Sequence, residues 1–161
     1  MAVVSIEDRN RHTANQLLNA AMSYARVILT KYGQIGPFGF SMSEEGEIGR
    51  VTLAIPRLPE NPERLWKLLA DHIAERVRRG KLKAALMGAN VSLNESSAEG
   101  YRDGVLLEIE EETGYAIEVT IPYRIIGGQL WGLLPRRLVL GEMVTEESVC
   151  RFFGGGAGRE S

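Results

Sequence analysis

From Ala14 onward, apolar residues recur at three- and four-residue steps through Leu17, Leu18, Ala21, Met22, Ala25, Ile28, Leu29 and Tyr32. That period gathers them into one stripe of an amphipathic helix, and Gly33 is placed to end it. Ser5, followed by Glu7 and Asp8, suits the helix start, because a hydroxyl accepts free backbone amides and carboxylates complement the positive helix end. The period then drops to two. Phe38, Phe40 and Met42 share one face of a strand, and Val51, Leu53 and Ile55 share one face of the next, with Glu44, Glu45 and Gly46 as the turn between them.

Pro56, Pro59 and Pro62 interrupt the pattern, and Asn61-Pro62 reads as a helix cap followed by proline at the first helical position. Leu65, Trp66, Leu68, Leu69, Ile73 and Val77 then return at helical spacing until Gly80, with Arg76, Arg78 and Arg79 beside the exposed carbonyls of the last turn. Residues 81–93, KLKAALMGANVSL, are apolar on both alternating faces through the middle, which predicts a strand covered on both sides and so helices on both faces of the sheet. A polar loop over 94–103 precedes strands at 104–110 and 115–123, with Pro122 limiting the ladder near the end of the second. From Gly127 the pattern weakens under many breakers; 145–153 is compatible with one short amphipathic helix, and 154–161 reads as a mobile tail. The expectation is one α+β domain over 1–153, with a five-stranded, mostly antiparallel sheet and two principal helices in the order α-ββ-α-βββ.

The segment EIEEETGYAIEV, 108–119, holds five carboxylates in twelve residues. If Glu112, Thr113 and Gly114 form a three-residue hairpin loop with glycine in the left-handed position, Glu111 pairs with Tyr115. Leu107 then faces Val119, Ile109 faces Ile117 and Val105 faces Ile121, so every large aliphatic residue falls on one face. The same register sets Glu108 opposite Glu118 and Glu110 opposite Ala116 on the other face. Directly opposed like charges cost roughly 0.2–1 kcal/mol when solvated; when buried they must share a proton, bind a cation or meet a base, for which Lys83 and Arg124 are at hand. Glu108, Glu110, Glu118, Lys83 and His72 are therefore the candidate ligand-binding residues, against the commoner alternative of a solvated or salt-bridged sheet face. Glu111 and Glu112 are assigned to the turn.

Composition narrows the function classes. The chain has 161 residues, a hydrophobic share of 44% and a charged share of 25%, the profile of an ordinary globular domain with no segment of membrane-spanning length. With 19 basic and 21 acidic residues, the net charge of -2 supplies no field for drawing in nucleic acid. A lone cysteine, Cys150, and two histidines, His12 and His72, leave no thiolate or imidazole set for structural zinc. Cys150 reads as a small core or interface residue, and His72, beside the apolar stripe of its helix, as a packing histidine if not a ligand. Ser92, Ser96 and Ser97 lack a nucleophile-elbow context, and neither Gly36-Pro37-Phe38-Gly39 nor Gly154-Gly155-Gly156 has the lysine and helix of a phosphate loop. Arg76, Arg78, Arg79, Lys81 and Lys83 form a basic patch at a helix end. No catalytic residue, metal or cofactor is assigned. The N-terminus MAVVSIEDRN lacks the marks of a secretory signal, so a cytoplasmic location is expected.

The helix and strand order resembles the roadblock and longin group of profilin-like domains across about 14–153, which implies a five-stranded antiparallel sheet of order 2-1-5-4-3. GKLKAA at 80–85, DGVLLEIE at 103–110 and GYAIEVTIPY at 114–123 resemble the core of a family of small uncharacterised bacterial proteins, a likeness that brings no catalytic residues. With chemistry unassigned and apolar side chains such as Phe38, Phe40, Trp66, Trp131, Leu133, Leu134, Leu138 and Leu140 in surplus, the expected function is a non-enzymatic interaction module. It would form a homodimer and engage a protein partner, without nucleic acid or membrane. The alternative is a small-molecule or metal-binding domain or enzyme that uses the carboxylates in a cleft between the sheet and the first helix.

Overall fold

A computed structural model of the chain describes residues 6–94, 100–128 and 133–153. Helix α1, Ile6–Tyr32, begins two turns before the apolar stripe does and ends where Gly33 adopts φ 78° and its amide reaches the Leu29 carbonyl at 2.8 Å. Its buried side is mostly small: Ala14, Ala21 and Ala25 alternate with Leu17 and Leu29, so the helix lies close on the sheet. Helix α2, Pro62–Arg78, starts as its sequence indicates, with the Asn61 side chain accepting the Arg64 amide at 3.1 Å and proline in the first turn. Ser5, 95–99 with its two serines, Leu130, Trp131 and the tail 154–161 lie outside the described residues.

Seven strands make one antiparallel sheet: β1 Phe38–Ser43, β2 Ile48–Arg50, β3 Leu82–Ser92, β4 Asp103–Glu111, β5 Ala116–Ile126, β6 Arg137–Leu140 and β7 Val144–Glu147. Their order is β2-β1-β3-β4-β5-β6, with β7 beside β6 on the same edge of β5. Two strands therefore exceed the five expected. The residues read as a short C-terminal helix begin instead within β7 and continue into a turn. The order 2-1-5-4-3 would set the last strand beside β1; here β3 pairs with β1.

The second strand is also displaced. The turn closes early, with the Ser43 amide on the Glu47 carbonyl, so pairing starts at Ile48. Arg50 faces Phe40, and residues beyond Thr52 would need partners before Phe38, where Pro37 offers no amide. Val51 makes the last bond, to Gly39, and the chain then leaves the sheet.

Helices cover both faces, as the two-sided β3 requires. Ala84 and Leu86 face α1 together with Phe38, Phe40, Met42, Val105, Leu107 and Ile109, while Ala85 and Met87 face α2 together with Val51, Leu69, Ile73 and Phe153. Phe38 and Phe40 are thus core residues, packed with Tyr24 at 5.0 and 5.8 Å between ring centroids, and not surplus surface. Phe38 lies flat over Gly88, where any Cβ would come within 2.3 Å of the ring. Among the described residues no helix is long and apolar enough to cross a membrane.

Candidate functional site

The β4–β5 hairpin has the register expected from its sequence: Leu107 faces Val119, Ile109 faces Ile117, and Glu108 faces Glu118, with Gly114 at φ 96° in the turn. Strand β7 lengthens the acidic row by setting Glu146 beside Glu118. Because Met87, on the α2 face, pairs with Glu108, the row lies on that face. Wetness grades along it: Glu108 keeps 21% of its side chain exposed, Glu118 is half-buried and Glu146 is exposed. Glu110, one pair nearer the turn, is 3% exposed.

Both β4 glutamates are engaged by the C-terminal segment. Glu108 Oε2 contacts the Arg151 guanidinium in an ion pair without regular hydrogen-bond geometry, and that guanidinium also lies 5.9 Å from the Trp66 ring and 5.8 Å from Phe152. Glu110 Oε1 accepts the backbone amides of Arg151 and Phe152 at 2.8 Å and of Phe153 at 3.3 Å. A buried carboxylate is tolerated when amides converge on it in this way, and the charge-assisted bonds fix the turn that buries Phe153 under α2. Sequence reasoning could not find this use of Glu110, since its partners lie 41 to 43 positions away.

The remaining candidates do not join them. His72 is half-buried beside Ile73 on α2, and no hydrogen bond or ion pair links it to the carboxylates among the described residues. Lys83 instead faces Glu111 and Glu112, and among the described residues no group of three or more His, Cys, Asp or Glu side chains is placed to hold a metal ion. Cys150 is a half-buried thiol that donates weakly to the Tyr115 carbonyl at 3.7 Å; burial, and then the Glu110 carboxylate, push its pKa up to about 11, the reverse of a reactive cysteine.

Glu111 differs most from its expected place in a turn. It closes β4 on the α1 face, 5% exposed, and its Oε2 has no hydrogen-bond partner. Burial raises its pKa to about 7, against the opposing pull of the Thr13 hydroxyl and the Lys83 ammonium. Thr13 and Asn10 are themselves buried, and Thr113 Oγ1 donates to Asn10 Oδ1 at 3.0 Å, so the hairpin tip is pinned to the first turns of α1. The signal was present: Glu111 continues the two-residue period of Val105, Leu107 and Ile109, and Asn10 and Thr13 continue the buried stripe of α1 backwards.

A cleft of about 370 Å³ reaches between the sheet and the end of α1, lined by residues that include Gly33, Ile35, Asn90, Asp103 and Tyr123. It opens on the α1 face, so the sheet separates it from Glu108, Glu110 and Glu118. The Tyr123 hydroxyl donates to Asn90, and burial, then Asp103, push its pKa up to about 12.

Among the described residues the longest exposed run lies along the β5 edge. Residues 142–149 are all exposed, β7 throughout its length, and the exposed large apolar side chains concentrate nearby: Ile126, Leu133 at 78%, Leu134, Met143, Val144 and Val149 at 82%. Leu138 and Leu140 are half-buried against the core. Compared with protein-family models, curated proteins and solved structures, the chain matches none.

Proposed function

We propose that this protein is a non-enzymatic interaction module that self-associates through the β6–β7 edge of its sheet. The observation that carries the reading is the uncovered edge itself. β6 and β7 pair with β5 in succession, Arg137 beside Ile126 and Glu147 beside Ile117, so they form one interrupted strand with no strand on its outer side among the described residues. A free edge flanked by exposed Met143, Val144 and Val149 is a template for another chain. Two of the three carboxylates that sequence patterning offered to a ligand, Glu108 and Glu110, instead hold the C-terminal turn, which favours a structural role over catalysis for them.

Charge selects a second copy as occupant. The edge is basic at its start, Arg137, and acidic at its end, Glu146 and Glu147, and none of the three forms an ion pair among the described residues. A two-fold axis across the edge brings each end against its opposite in the other copy, as an isologous interface requires, and leaves Met143 and Val144 near the axis. Glu142 also lies near that axis and would meet its own copy, so it weakens the pairing.

Light scattering over a micromolar-to-millimolar concentration series tests this. The wild type should move from monomer to dimer; Arg137→Glu and Glu146→Arg, which share the α2 face, should each hold it monomeric, their combination should restore the dimer, and Glu142→Gln should tighten it. A monomer at all concentrations, or charge reversals without effect, would remove the proposal.

A further inference from the structure

The opposite sheet edge carries a different feature. After Val51 the chain runs past β1, turns through Pro56 and Pro59 and enters α2, enclosing a cleft of about 230 Å³ between this segment and the two helices. Its walls are apolar: Phe38 of β1, Leu53, Ile55 and Leu58 of the loop, Leu65 and Leu69 of α2. Ile55 and Leu58 remain 42% and 52% exposed although they line it, so the cleft opens apolar surface to water.

One cation stands among these walls. The Arg50 guanidinium lies 5.2 Å from the centroid of the Tyr24 ring and donates from Nη1 to the Tyr24 hydroxyl at 3.2 Å. Arg50 forms no ion pair among the described residues, and the acid of the same loop, Glu60, is taken by Arg57 at 3.1 Å. Stacking and the hydroxyl contact orient the guanidinium while leaving most of its five donors unused.

We propose that this cleft binds a small free monocarboxylic acid with an apolar chain, the chain between Phe38 and Leu69 and the carboxylate on Arg50. The charge count selects one carboxylate and not a di- or polyanion, since the lining holds no second cation. The volume falls below the roughly 300–1,000 Å³ of pockets for drug-sized ligands, which fits a single short chain. A planar guanidinium pairs with a carboxylate through two parallel bonds, and the apolar walls take the chain.

Calorimetric titration with octanoate below its micelle concentration, against octan-1-ol as the neutral isostere, tests the inference. Octanoate should bind at one site and octanol at least about tenfold more weakly, and affinity should rise about fourfold for each methylene from butanoate upward until the cleft is full. Arg50 is exposed, so Arg50→Met should leave the thermal melt unchanged and weaken octanoate about ten- to a hundredfold. Leu65→Trp, which fills the cleft while keeping Arg50, should abolish binding. The inference is overturned if octanol matches octanoate, if either variant binds like the wild type, if no heat of binding is seen, or if only a peptide ending in a free apolar residue binds. None of these readouts depends on the dimer edge, which lies across the sheet.

Discussion

Replacing Glu111 by glutamine removes one proton equilibrium from the interior and little else, because the amide keeps the size and shape of the protonated acid. Burial raises the folded-state pKa of Glu111 from the ordinary 4.5 to about 7. A group whose folded pKa exceeds its unfolded one favours folding most when protonated. Its contribution is complete below about pH 4.5, is lost as the pH rises towards 7, and stays lost above. At about 1.4 kcal/mol per unit, the whole interval is worth about 3 kcal/mol, of which about 2 kcal/mol falls between pH 5 and pH 8.

Urea denaturation of wild type and Glu111→Gln at those two pH values isolates this group, since every other carboxylate is common to both proteins. The stability difference should shift by about 2 kcal/mol in favour of the variant on going from pH 5 to pH 8. Lys83 supplies part of the compensation for the charged form, so Lys83→Met should enlarge the shift, while the charge of Glu112, last and smallest of the influences on Glu111, adds to it. Parallel stability profiles for the two proteins would refute the reasoning, because they would mean that Glu111 titrates alike in the folded and unfolded chain.

Two further perturbations address the core and the C-terminal turn. Gly88→Ala drives a methyl into the Phe38 ring, which Tyr24 and Phe40 hold in place, and should cost about 1–3 kcal/mol in denaturant unfolding with an unchanged slope. Glu110→Ala strips the acceptor from three amides, that of Phe153 buried and those of Arg151 and Phe152 partly so, and should cost about 2–3 kcal/mol, with faster hydrogen exchange at Arg151–Phe153 and a change in Trp66 fluorescence as Arg151 leaves the indole.

Legibility in the sequence followed burial. Both helices were readable because each has one buried stripe and punctuation at its ends, Gly33 for α1 and Asn61-Pro62 for α2. The β4–β5 register was readable because alternate residues sort into a dry and a wetter face and Gly114 fixes the turn. β7 was not: all four of its residues are exposed, so there is no alternation to detect, and Gly127, Gly128, Pro135 and Gly141 break the surroundings. Strand order was beyond local patterning as well, since the two-sided burial of β3 is met equally by several positions inside a sheet.

The glutamates of 108–112 show how alternation on a strand divides a charge cluster. Glu108 and Glu110 point to the α2 face and Glu111 to the α1 face, although all stand within four residues. The two on the α2 face draw in Arg151 and the amides that follow it, a contact that brings the chain back across the sheet immediately after β7. That return holds Val149 and β7 at the rim with their side chains outward, where a strand with so little buried surface would otherwise fray. The carboxylates that look like a ligand site thus anchor the chain just after β7, while β6 and β7 are held by their pairing with β5, and loosening Glu110 should weaken the turn together with the self-association proposed for this edge.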